Sequence, residues 1–153
     1  MGRLIQTEGV GKVRGRIVRA IVLAMRELAQ HQKPDDHARD LVAFIAMGLE
    51  EVDSTIDETC RAWEKRDYWI KADQFRMQWA WAKPLSERMR AIALNERWSD
   101  LVRVIPELAK NVGSVTLPQR NTLGAPWVGA FAKLRTKYPN EEPVMAWRPK
   151  KKS

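Results

Sequence analysis

The chain is poor in the residues that form disulfides, metal sites and nucleophilic centres. Its 153 residues include one cysteine, Cys60, and two histidines, His31 and His37. A single thiol allows neither a disulfide framework nor a cluster of thiolates for zinc. The histidines match no zinc motif, and neither follows a glutamate by three residues, as in di-metal carboxylate bundles. We therefore expect no metal, no cofactor and no enzymatic activity.

Long apolar runs are also missing. Apolar runs are short, as in Ala20–Met25 between Arg19 and Arg26, whereas a helix that spans a bilayer needs ~18–20 apolar residues. The N-terminal region has no long apolar segment followed by a small-residue cleavage site, as a signal peptide would have. We therefore expect no membrane partner and a cytoplasmic location.

The alternating pattern of a β-strand is absent beyond the short fragment Val115–Leu117. Apolar residues instead recur every three or four positions, which is typical of helices that bury one face. This pattern predicts helices over about residues 10–30, 36–65, 69–98, 99–113 and 127–136. Lys83-Pro84 either kinks the third of them or starts a new helix, because proline lacks the backbone N–H of a helix interior but fits its first turn. We favour a kink or a short break.

The predicted fold is all-α: an antiparallel bundle of about four helices, with an appended short C-terminal helix and a basic tail. Residues 1–9 are predicted to form a flexible arm and residues 10–113 the bundle. Residues 114–138 would form a connector and the short helix, and residues 139–153 the basic tail.

Aromatic residues are concentrated between Cys60 and Lys83. Cys60 and Trp63 continue the apolar face of the second helix, which predicts that both are buried and that the thiol is inert. Trp79 and Trp81 are predicted on opposite sides of the third helix, where they would hold it between its neighbours. That helix has apolar residues on two sides, which is typical of a helix central in a bundle or shared between subunits.

Tyr68 and Trp69 lie where the helical phase is unclear, next to Arg66-Asp67. Their burial does not follow from the pattern. Aromatic side chains next to basic ones can stack on the bases of a single nucleic-acid strand. We therefore take these two residues as candidate stacking residues.

Charge is distributed in blocks. The net charge of +8 divides into +5 for residues 1–34, −6 for residues 35–67, +3 for residues 68–113 and +6 for residues 114–153. The acidic block includes a flank of the second helix, beside its apolar face: Glu50, Asp53, Asp57 and Glu64. This layout favours pairing of the acidic flank with a neighbouring helix and leaves the basic ends for a partner.

A row of basic residues marks the first helix. At ~100° per residue, Lys12, Arg16, Arg19 and Arg26 fall opposite the apolar face. Such a row attracts phosphates through counterion release, and arginine adds bidentate geometry. We predict a nucleic-acid-binding surface formed by this row, with the tail residues Lys150, Lys151 and Lys152 as a second contact.

The sequence thus favours a non-enzymatic protein that binds the backbone of RNA or DNA, or an accessory subunit of a nucleoprotein assembly. In size, helicity and charge the chain resembles the small all-helical subunits of RNA-guided CRISPR effector complexes, a resemblance in bulk properties that transfers no residue. The alternative is a protein–protein interaction module or homo-oligomeric scaffold without nucleic-acid binding. It would use the two-sided third helix, together with Val18, Val22 and Leu23 of the first.

Overall fold

The computed structural model describes residues 9–117, 119 and 123–139, and every regular element within them is an α-helix. The six helices of this part of the chain are α1 (Gly9–Gln30), α2 (Asp36–Glu64), α3 (Trp69–Gln78), α4 (Ala82–Asn95), α5 (Trp98–Val112) and α6 (Ala130–Lys137). The prediction of an all-α fold is confirmed. Residues 1–8 of the predicted arm and residues 140–153 of the predicted tail lie outside the described residues, and the domain division stays a prediction.

The longest described helix, α2, is the one against which α1, α3, α4 and α6 pack. Asp35 caps its N-terminus by accepting a hydrogen bond from the Ala38 backbone N–H at 3.0 Å. Its buried face repeats every three or four residues, and its fully buried members include Leu41, Val42, Ile45, Leu49 and Val52. Burial of each such side chain contributes ~1.5–3 kcal/mol. This face therefore anchors α2 at the centre of the fold.

The contacts between α1 and α2 show that the two helices run antiparallel. Glu27 bonds His37 near the connecting turn, and at the far end Arg14 bonds Thr55. Between them the helices approach closely at Gly48, where an added Cβ would lie 3.0 Å from Cγ1 of Ile21. The absence of a side chain at this one position is therefore what allows the two helices to come so near.

Two further helices are fixed to α2 by polar contacts. The Ser86 hydroxyl of α4 donates to the Ala46 carbonyl at 2.8 Å, and Glu96, just after α4, pairs with Arg39 at 3.1 Å. These contacts make α4 antiparallel to α2. The helix α5 then packs against α4 and against α1.

The short helix α6 runs parallel to α2 and is held at both ends by α2 carboxylates. At its N-terminal end, Asp40 accepts hydrogen bonds from the backbone N–H groups of Gly129 and Phe131, at 3.1 and 2.9 Å. At its C-terminal end, Glu50 accepts one from Lys137 at 2.7 Å and one from the Tyr138 hydroxyl at 2.6 Å. These bonds fix both the position and the direction of α6.

The predicted third helix is two helices. The chain leaves helical conformation at residues 79–81, and Pro84 lies in the first turn of α4. Proline costs little there, because the first backbone N–H groups of a helix have no intrahelical partner. The break therefore comes ahead of the proline that was expected to cause it.

This break corrects the prediction for Trp79 and Trp81. They do not lie on opposite sides of a continuous helix: their rings stack on each other, with centroids 5.5 Å apart and planes 28° apart. Because the helix ends at Gln78, the two residues come together in the turn.

The remaining boundaries shift by small amounts. α5 begins at Trp98, one residue before its predicted start, and Pro106 is accommodated inside it. α6 begins at Ala130. None of the described helices combines the length and the apolar character that crossing a bilayer requires.

Candidate nucleic-acid interface

The predicted row on α1, hereafter the α1 basic row, consists of Lys12, Arg16, Arg19 and Arg26, and all four residues are exposed. The opposite face of α1 holds buried residues such as Ile21 and Ala24. Within the described part of the chain, Arg16, Arg19 and Arg26 form no ion pair. The helix period therefore places the row where sequence analysis expects it, on the outer surface of the fold.

Arg14, on the same helix, is a structural residue and not part of the row. Its guanidinium points toward α2, where it donates to the hydroxyl of Thr55 at 3.0 Å and to that of Thr59 at 2.6 Å. It also lies over the ring of Phe75, 5.1 Å from the centroid. Burial lowers the pKa of Arg14 from its ordinary value. α1 thus carries one arginine that serves the fold beside a row that faces solvent.

The acidic flank of α2 was expected to meet basic residues of a neighbouring helix, and two of its four members do. Glu50 pairs with Lys137 of α6, and Glu64 pairs with Arg76 of α3. Asp57 pairs with Arg61 of its own helix at 3.0 Å instead. Asp53 has no ion-pair partner among the described residues.

The chain turns sharply between α2 and α3, at residues 65–68. The backbone N–H of Tyr68 returns to the Trp63 carbonyl at 2.9 Å, and that of Asp67 returns to the Glu64 carbonyl at 3.0 Å. Asp67 adopts a φ of 64°, a left-handed conformation that is uncommon outside glycine. We call this turn together with Trp69 the α3 corner (residues 65–69).

The two candidate stacking residues are exposed at the α3 corner. Tyr68 is 50% exposed and Trp69 56% exposed. The other aromatics of this stretch form an unbroken series of ring contacts: Trp63 with Phe75, Phe75 with Trp79 and Trp79 with Trp81. Tyr68 and Trp69 take no part in that series, so the structure divides the aromatic stretch into a packed group and an exposed pair.

The outer face of α3 carries two further large apolar residues, Ile70 at 74% and Met77 at 77% exposure. Ala72 is the one buried residue of this helix. The two-sided pattern therefore arises because one side of α3 packs on α2 and the other faces solvent. The helical period places Ile70 and Met77 on one side of the helix, but it does not show whether that side is buried or exposed. The signal available in the sequence was the small number of large apolar residues in each turn.

The thiol and the histidines occupy structural positions. Cys60 is buried, its thiol donates to the Ala72 carbonyl at 3.3 Å, and burial raises the pKa of that thiol. His31 bonds Asp35 at 2.7 Å, and its ring meets the His37 ring edge-on at 4.7 Å. In the described ranges no group of three or more metal-ligating side chains comes together.

Comparison of the chain with protein-family models, with curated proteins and with solved structures returned no match. The support for the candidate interface therefore comes from the structure of this chain alone. Of the predicted contact residues, the structure exposes the four of the α1 basic row and the two aromatics of the α3 corner. Lys150, Lys151 and Lys152 lie outside the described residues.

Proposed function

We propose that this protein is a non-enzymatic, cytoplasmic nucleic-acid-binding protein, or a small accessory subunit of a nucleoprotein assembly, and that the α1 basic row contacts the phosphate backbone. The observation that carries the proposal is the contrast in how cations are used. Arg39, Arg76, Arg88 and Lys137 each pair with a carboxylate of another element. Three arginines of the row pair with no described carboxylate and face solvent.

The geometry of the row suits a charged backbone. Lys12 and Arg26 are fourteen residues apart, about 21 Å along the helix axis at 1.5 Å per residue. DNA presents one phosphate per ~3.4 Å along each strand, so several phosphates lie within reach of the row. These contacts neutralise charge without contacting base edges, and the binding is therefore independent of sequence.

The fold supplies a rigid support. We include in the proposal that α1, α2, α4 and α5 form the predicted antiparallel bundle, with α6 appended to it. Arg88 of α4 pairs with Glu107 of α5 at 2.6 Å, a pairing that joins these two helices side by side. The proposed role of this scaffold is to hold the α1 basic row straight.

The test is the salt dependence of binding to a generic RNA or DNA oligonucleotide. Each phosphate contact adds ~0.7–0.9 to the slope of log K against log salt. Changing Lys12, Arg16, Arg19 and Arg26 together to Ala should therefore flatten that slope by about 3 and weaken binding at low salt. A matched control removes four exposed basic residues elsewhere: Arg103, Lys110, Lys133 and Arg135.

The control variant has the same net charge as the row variant, so it separates a located interface from a general effect of charge. The proposal requires the row variant to lose much more affinity than the control variant. Equal losses would show that the row is not the site. Absence of binding by the wild-type protein at low salt would rule out the function itself.

The exposure of Ile70 and Met77 favours a second candidate, a protein–protein module or homo-oligomeric scaffold that uses the outer face of α3. Together these side chains leave an apolar area of the kind that soluble monomers usually cover. If two copies pair through this face, light scattering should show concentration-dependent dimers, and Ile70→Lys with Met77→Lys should restore the monomer. A wild-type protein that stays monomeric at high concentration excludes the homo-oligomer.

A further inference from the structure

From the geometry of the α3 corner we infer that the nucleic acid is single-stranded, and that Tyr68 and Trp69 stack on its unpaired bases. This inference rests on the proposed function and adds a second contact of a different kind to the α1 basic row. The row binds phosphates of any nucleic acid. The corner would select strands whose base faces are free.

The first argument is that both rings are exposed while their backbone is fixed. Tyr68 and Trp69 are about half exposed, yet they follow a turn closed by several backbone hydrogen bonds. The Ala72 backbone N–H also returns to the Tyr68 carbonyl, at 3.1 Å, and so ties the corner to α3. An aromatic side chain mounted on a fixed backbone gives up little conformational entropy when it binds a ligand.

The second argument is the backbone conformation of Asp67. A non-glycine residue with φ of 64° carries an energetic cost that the surrounding structure must offset. The consequence of this conformation is a sharp reversal that leaves Tyr68 and Trp69 on the outside of the corner. Strain of this kind is concentrated at binding sites in known proteins.

The third argument is charge. Lys65 and Arg66 are exposed and form no ion pair with any residue in the described ranges. Residues 65–71 contain three basic groups and one acidic group, Asp67. Tyr68 and Trp69 line one shallow cavity together with Asp67, Ile70, Lys71 and Gln74. A phosphate backbone complements this charge, and the cavity places aromatic faces and an amide next to it.

These features discriminate against a duplex. In a duplex the bases stack on one another, so an aromatic ring has no free base face to meet, whereas single strands offer one at every nucleotide. An acidic protein partner would satisfy the charge but would need a folded surface with pockets complementary to both rings. A single strand satisfies the charge and offers a base face to each ring.

The corner and the N-terminal half of the row also lie at the same end of the molecule. Arg14 contacts Thr55 and Thr59, so the N-terminal half of α1, which carries Lys12 and Arg16, runs beside the C-terminal half of α2. The α3 corner follows directly on that half of α2. A single strand that leaves the row at Lys12 therefore arrives near the corner.

The experiment compares a labelled single strand of about 16 nucleotides, which at ~3.4 Å each exceeds the length of the row, with a hairpin duplex of the same composition. RNA and DNA forms of both are used. The variants are Tyr68→Ala with Trp69→Ala, Tyr68→Phe with Trp69→Phe, and the control Val102→Ala with Val128→Ala, two exposed apolar residues outside the α3 corner. All the changed side chains are exposed, and circular dichroism confirms that each variant is folded.

The alanine pair should weaken single-strand binding by about 5- to 150-fold per stacked base, since aromatic truncation has that effect in single-strand binders. Its duplex binding should be unchanged. The phenylalanine pair should retain most of the single-strand affinity, because stacking requires the ring and not its polar group. The Val102 and Val128 control should bind as the wild type does.

Wild-type affinity of the alanine pair for the single strand would overturn the inference, and so would an equal loss in the Val102 and Val128 control. In either case loss of binding in the row variant would leave the proposed function standing. If the wild-type protein binds neither the single strand nor the duplex, both the inference and the proposed function are wrong. Binding of the duplex as tightly as the single strand also contradicts the inference.

Discussion

The two longest helices, α1 and α2, carry opposite charge and use it in opposite ways. On α2, Asp40, Glu50 and Glu64 each bind a group that belongs to another element. On α1, only Arg14 of the arginines reaches inward in this manner, and the basic row faces solvent. The difference teaches that carboxylates of α2 help to hold the fold together, whereas the arginines of the α1 basic row face solvent and pair with no described carboxylate. Changing one residue of each kind tests that distinction.

The largest effect on stability is expected at Arg14. Arg14→Ala removes hydrogen bonds from a charged group to two threonines and a contact with an aromatic ring. A hydrogen bond to a charged group contributes ~1.5–3 kcal/mol. Because these bonds are only partly buried, we expect Arg14→Ala to lower the free energy of unfolding by about 2 kcal/mol in total. Chemical denaturation measures it.

Arg16→Ala is the matched control, two residues away on the outer face of the same helix. It should change the free energy of unfolding by less than ~0.5 kcal/mol while it weakens nucleic-acid binding. If both variants unfold alike, the division of α1 into a structural arginine and a solvent-facing row is wrong.

The same distinction explains how much of the fold could be predicted. Local signals determine the ends of α1 and α2: Pro34 stops one helix and Asp35 caps the next. The outward direction of the α1 basic row follows from the helical period alone. These features need no knowledge of what packs against them, and the structure matches them closely.

The region from Trp69 to Trp98 shows what local signals do not contain. The break at residues 79–81 accompanies the packing of Trp79 between Phe75 and Trp81, a contact that forms only once the chain has turned. Burial at the α3 corner likewise depends on how α3 crosses the end of α2. Periodicity cannot separate a face that packs on a neighbour from one that faces solvent when both are apolar.

An intermediate effect is expected at Asp40, which caps α6 from a different helix. Asp40→Ala leaves the Gly129 and Phe131 backbone N–H groups without their acceptor. Loss of a helix cap costs ~0.5–2 kcal/mol of stability, and here the helix that is destabilised is α6. Hydrogen exchange should therefore become faster at amides of α6 before it does so in α2.

Asp53→Ala provides the control for that measurement, since Asp53 lies on the same helix and has no ion-pair partner among the residues described. It should leave exchange in α6 unchanged. Equal acceleration in both variants would mean that α6 responds to the net charge of α2 and not to the cap.

The smallest effect is the pH dependence of the contact between Glu50 and the C-terminal end of α6. Burial alone would raise the pKa of Glu50, but the hydrogen bonds from Lys137 and Tyr138 outweigh it and lower that pKa. A carboxylate whose pKa is lowered by folding stabilises the fold above its ordinary pKa, near 4.3, and loses that contribution as the pH falls through the folded value.

The same contact also has an alkaline limb. The bond to Glu50 raises the pKa of Lys137, and burial together with the hydrogen bond to Glu50 raises the pKa of Tyr138. Their contribution is therefore present below about pH 10 and lost above it.

Glu50→Gln should flatten both limbs of this dependence, because it removes the charge that all three shifts share. The free energy of unfolding of the variant should fall less than that of the wild type between pH 6 and pH 3, by under about 1 kcal/mol for a pair this exposed. Glu51→Gln, at the exposed neighbouring position, should retain the wild-type profile. Since Arg16, Arg19 and Arg26 pair with no described carboxylate, the variant that replaces all four row residues with alanine should also retain that profile. A row variant that altered the acid limb as Glu50→Gln does would show that the row contributes to the fold, and the contrast between α1 and α2 would no longer hold.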